Sequence, residues 1–142
     1  MKTPRFWLAV IVAGIVANIM DFIVQGHLLT NAFYSKVASM RVDTKPIWYV
    51  IGDFAAVLVF AWVLDRLASL FSGAKGGAIA GFYLGVLVNF PTWHFIFLMF
   101  KGFPYSVAWI NTIYGIVEYI VIGAVLGALM TKKPEPAAPP TA

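Results

Sequence analysis

The run F-W-L-A-V-I-V-A-G-I-V-A-N-I-M-D-F-I-V-Q-G-H-L-L, Phe6 to Leu29, is interrupted only by Asn18, Asp21, Gln25 and His27. At a rise of about 1.5 Å per residue, a helix of about 20 apolar residues crosses the hydrocarbon core of a bilayer, and this run is long enough. Lys2 and Arg5 precede it as they would a secretion signal. The apolar stretch is longer than a typical signal core and is broken by polar groups, so it reads as an uncleaved first helix.

Three further runs of the same kind follow: Ile47 to Leu70, Gly77 to Phe100 and Ser106 to Met130. The composition agrees, at 61% hydrophobic and 11% charged residues with a mean hydropathy of +0.86, where soluble domains carry about a quarter charged residues. The expected fold is an all-α integral-membrane four-helix bundle over residues 1–131, with antiparallel up-down connectivity. Short loops predict that helices one and two, two and three, and three and four are neighbours. In the first loop Phe33, Tyr34, Val37 and Met40 recur at helical spacing, which predicts a short amphipathic helix on the membrane surface. Residues 132–142, K-P-E-P-A-A-P-P-T-A after Lys132, are proline-rich without apolar periodicity and are expected to be disordered.

Several function classes are excluded. A soluble catalytic domain has no room. The absence of cysteine removes disulfides, thiolate nucleophiles and sulfur-ligated metals. The net charge of +4 is spread over all the loops, as anchors to anionic lipid would be, and no nucleic-acid partner is expected. No cofactor is implied. One face carries Lys2, Arg5, Arg66, Lys75, Lys132 and Lys133, and the other Lys36, Arg41, Lys45 and Lys101. The positive-inside rule then places both termini in the cytoplasm.

Helix three carries Gly77, Gly81 and Gly85 at steps of four, continued by Asn89, and helix four carries Gly123 and Gly127. Small residues at this spacing let backbones approach closely in lipid. Pro91 removes the bond to the Leu87 carbonyl and predicts a kink.

The intramembrane polar groups carry the functional reading. Asp21, Asp53 and Glu118 lie inside the spans without a Lys or Arg beside them. Acids so placed are rare and point to function by default. Gly14, Asn18, Asp21 and Gln25 share one face of helix one, and Asn111, Gly115 and Glu118 one face of helix four. Measured from each span's midpoint, Asn18, Asn89 and Glu118 lie near the midplane. Asp21, Asp53 and His94 lie roughly 5 to 8 Å towards the loop of residues 30–46, with Gln25 and Asn111 slightly farther out. The expected feature is a polar cup in one half of the membrane, open towards that loop, with Glu118 at its floor. An ionised acid at a helix centre costs about 3 kcal/mol. Holding an Asp neutral at pH 7 costs about 4 kcal/mol, so the charge state stays open.

Three readings follow. The polar groups form a structural hydrogen-bond network, in a protein that also binds a membrane partner or a second copy. Alternatively, the acids bind or transport a proton, a cation or a small cationic molecule, with Asp21, Asp53 and His94 suited in type to a divalent metal. Third, His94 oriented by Asp53 serves as the base of an intramembrane enzyme, although no catalytic motif supports it.

Two stretches, G-H-L-L-T-N-A-F-Y (Gly26 to Tyr34) and K-G-F-P-Y-S-V-A-W-I-N-T-I-Y-G (Lys101 to Gly115), resemble small bacterial membrane proteins. The likeness is to those grouped as domain of unknown function 1761 and, more distantly, 2177. It covers most of the chain outside the tail and implies a bacterial four-helix membrane protein, with no activity or site residues to carry over. Phe103 stands where the second group would have tryptophan.

Overall fold

The structure, a computed structural model, describes residues 3–37 and 45–130. It is an all-α four-helix bundle of the multi-pass membrane type: α1 (Pro4–Ile23), α2 (Ile47–Arg66), α3 (Gly73–Met99) and α4 (Tyr105–Met130). The tail from 132 and the loop residues Met40, Arg41 and Asp43 lie outside the described residues.

Thr3 starts α1: its hydroxyl accepts from the Phe6 N–H at 3.4 Å, and Pro4 occupies the first turn, where no N–H is needed. The helix does not end at Ile23. It widens into a π-helical turn, Val24–Leu29, and the Thr30 hydroxyl donates to the Gln25 carbonyl five residues back at 2.8 Å. Two short turns follow, Thr30–Ala32 and Tyr34–Lys36, in place of the single surface helix expected there. The difference has a packing reason. Tyr34 and Val37 are buried with Leu29 against Phe103, just before α4, and Val107 and Ala108 in its first turn, so their apolar side meets protein rather than lipid.

α2 stops at Arg66, short of the expected Leu70, and α3 starts at Gly73, ahead of the expected Gly77. Gly73 has φ +68°, a conformation side chains disfavour, and this shapes the tight turn. α3 stays helical through Pro91, and the Thr92 hydroxyl donates to the Val88 carbonyl at 2.6 Å.

The glycine stripes mate. A Cβ on Gly77 would overlap the Gly123 carbonyl, one on Gly123 the Gly77 carbonyl, and one on Gly81 the Tyr119 carbonyl. α3 and α4 therefore run backbone to backbone, the most intimate pair in the molecule. α1 packs on α2 and α4, and α2 makes a smaller contact with α4. The expectation that α2 and α3 are neighbours is corrected: the turn joins them, but no comparable packing does. Glycine-lined α4 draws α3 to one of its sides, while α1 and α2 occupy another. The main core is built mostly by α1, α2 and α4, where Ala9, Ala13 and Ala17 meet Val57, Phe60, Ala61, Ile122 and Leu126, and α3 adds Ala80 to it.

Candidate functional site

α1, α2 and α4 line a partly open cavity of about 120 Å³ formed by Ala17, Asp21, Asp53, Ala56, Val57, Phe60, Glu118, Tyr119 and Ile122. The small residues make the room. Ala17 and Ala56 keep the α1 and α2 walls low, and Gly14, one turn earlier, is where the Phe54 ring fits against α1. All three intramembrane acids thus come together, one from each helix, and among the described residues no Lys or Arg lines the space.

Their partners differ. Asp21 accepts a hydrogen bond from the Tyr114 hydroxyl at 2.8 Å, which ties α1 to α4. Asp53 Oδ2 is buried with no hydrogen-bond partner among the described residues. An unmet buried acceptor forfeits its water bonds without replacement. Something able to bring a proton or positive charge suits that oxygen.

One turn towards the first loop lies a second polar layer. The Tyr34 hydroxyl donates to Asn111 Oδ1, and the Asn111 amide in turn donates to the Val107 carbonyl at 2.9 Å. Gln25 Oε1 lies 2.6 Å from the same hydroxyl. A hydroxyl has one proton, already given to Asn111, so the Gln25 amide balances the cluster when its NH₂ group faces the Tyr34 oxygen. Asn111 is fully buried. The predicted cup is therefore occupied at this level: Tyr34, folded back by the turns after α1, joins Gln25 and Asn111 in one polar cluster.

α3 contributes nothing to the cavity wall, which corrects the expectation that all four helices supply the cup. Asn89 rests on Gly115 of α4 and donates to its own Gly85 carbonyl at 3.1 Å. Asn18 likewise donates to its own Gly14 carbonyl at 2.9 Å. Both amides serve their own helices through these bonds, four residues back. Gly115 faces Asn89 rather than the acids, so the Asn111–Gly115–Glu118 stripe straddles two interfaces.

His94 lies among aromatic rings: stacked on Phe90 at 4.3 Å, with Trp109 edge-on at 4.8 Å and Tyr105 at 5.9 Å. Its Nδ1 lies 2.8 Å from the Phe90 carbonyl and must donate there, which leaves Nε2 an acceptor, buried without a partner among the described residues. The expected pairing of His94 with Asp53 is not made: His94 Nε2 and Asp53 Oδ2 each lack a hydrogen-bond partner among the described residues. Nor do Asp21, Asp53 and His94 form a metal set. Among the described residues no group of three or more His, Asp or Glu side chains is disposed to hold a metal ion.

Tyr114 and Tyr119 were not legible as site residues, because a tyrosine in an apolar run reads as packing. The available signal was spacing. Tyr114 precedes Glu118 by four residues and follows Asn111 by three, on the polar face already identified.

No protein-family model, curated protein or solved structure matches the chain.

Proposed function

We propose that this protein binds and exchanges a proton at the carboxyls of Asp21, Asp53 and Glu118, in a bacterial inner membrane with both termini cytoplasmic. The carrying observation is the buried Asp53 oxygen, without a hydrogen-bond partner among the described residues, in a cavity shared with two other acids and with no described basic side chain. Size and ligand count favour a proton over the other expected cargoes. A volume of about 120 Å³ falls below the roughly 300 Å³ at which pockets for organic ligands begin, and among the described residues the acids make no three-ligand metal set. The motifs at Gly26–Tyr34 and Lys101–Gly115 support a bacterial origin.

Infrared difference spectra between acid and mildly alkaline pH test the proposal. The wild type is expected to show a protonated-carboxyl band that Asp53→Asn lacks or shifts. An unchanged band, or none in the wild type, overturns proton exchange at this site.

A second reading, a structural network in a protein that recruits a membrane partner or a second copy, is favoured by the Tyr114–Asp21 and Tyr34–Asn111 bonds across helices. It predicts that the melting temperatures of the wild type and Asp53→Asn run parallel across pH, with no pH dependence lost on substitution, while Tyr114→Phe melts lower.

A further inference from the structure

At the end of the bundle away from the first loop, α1 begins where α2 finishes. Phe6, Trp7, Leu58, Val59 and Trp62 there line a wholly apolar groove of about 320 Å³. Phe6 forms its buried floor, while Trp7 and Trp62 are about half exposed and stand as walls. One turn beyond Trp62, the Arg66 guanidinium lies over its indole ring at 5.2 Å from the centroid. Arg5, immediately before Phe6, is exposed at the same end of α1. Asp65 is the exposed acid of the Arg66 turn.

We infer that this groove holds an acyl chain of an anionic phospholipid whose phosphate is met by Arg66 and Arg5. Three physical points converge on that occupant. The groove offers apolar surface and no polar partner, so it fits a hydrocarbon chain better than a peptide, whose backbone would go unsatisfied. Indole rings at the ends of spanning helices sit at headgroup depth, which puts the mouth of the groove where a lipid changes from chain to phosphate. A guanidinium lying on an indole is held in place without using its N–H fork, and that fork matches phosphate oxygens. Basic groups between helices at the membrane edge draw anionic headgroups for the same reason.

The test uses fluorescence of a chain carrying Trp48→Phe, Trp93→Phe and Trp109→Phe, so that emission comes from Trp7 and Trp62 alone. The chain is reconstituted in phosphatidylcholine vesicles containing a brominated lipid, either phosphatidylglycerol or phosphatidylcholine. Brominated phosphatidylglycerol should quench half-maximally at a mole fraction at least about fivefold lower than brominated phosphatidylcholine, as expected for one arginine near an anionic headgroup. Adding Arg66→Gln should remove most of the difference, and Arg5→Gln with Arg66→Gln should bring the curves together. Native mass spectrometry of the otherwise unaltered chain gives a readout independent of the tryptophan changes. One phosphatidylglycerol should stay bound to the wild type and be lost from Arg66→Gln. Coincident quenching curves in the parent, a preference that survives both arginine changes, or equal retention of the two lipids overturns the inference.

Discussion

At the residue scale the two aspartates differ in what surrounds them, and the difference is measurable. Tyr114→Phe strips the donor from Asp21 and should lower stability by about 1 kcal/mol, the usual worth of such a bond between membrane helices. Asp53→Asn removes a carboxyl whose Oδ2 has no partner to lose. It should leave the protein as stable or more so, as when a group is kept for function at a cost to the fold. Unfolding titrations in mixed micelles compare the two, and an Asp53→Asn protein that unfolds as readily as Tyr114→Phe contradicts the assignment. Tyr34→Phe leaves the fully buried Asn111 oxygen without its hydroxyl and should cost about 1–2 kcal/mol. The acids were legible in the sequence because a charge within a long apolar run stands out at any rotation. Their tyrosine partners were not, because only the ring tip is polar and hydropathy records the ring.

At the element scale, glycine spacing decides which helices touch. Gly77 and Gly123 lie so close that a methyl on either would meet the other's carbonyl, whereas a methyl on Gly52 of α2 would meet nothing within 4 Å. Alanine in place of a helical glycine is normally worth up to about 1 kcal/mol in helix propensity, and overpacking costs about 1–3 kcal/mol. Gly52→Ala should therefore be neutral or stabilising, and Gly77→Ala or Gly123→Ala destabilising, in the same unfolding titration. Equal effects at 52 and 77 would mean that the α3–α4 contact is looser than described. The stripes themselves were legible, since steps of four place small residues on one face. The position of α3 was not. Loop length says only that α2 and α3 are joined, whereas close backbone approach to α4 determines where α3 rests. His94 and Asn89 went with it, away from the acids.

At the scale of the whole molecule, the bundle divides into a three-helix half that holds the carboxyls and a fourth helix attached by glycines. The depth estimate put the three carboxyls at neighbouring levels, because depth follows from counting residues along a span, but it did not anticipate that α3 stays out of the cavity wall. Nor could it anticipate the place of Tyr34. Tyr34 joins Gln25 and Asn111 only because the chain widens into a π turn after Ile23 and folds back through two short turns, and such turns are frequent at functional sites. Water reaching the carboxyls from the first-loop side is predicted to pass the Tyr34, Gln25 and Asn111 layer. The chain lacks cysteine, so single introduced thiols report that path directly. Ala56→Cys, in the cavity wall, should react with a water-soluble thiol reagent added on the first-loop face and not with one added on the face of the termini. Gln25→Cys should react from the same face and faster, being one turn nearer the loop. Adding Tyr34→Ala to Ala56→Cys should speed the inner reaction by removing the ring and its bond to Asn111, with the outer rate changed less. Reaction at 56 from the terminal face, or a rate indifferent to Tyr34, would place the water path elsewhere and leave the tyrosine a packing residue.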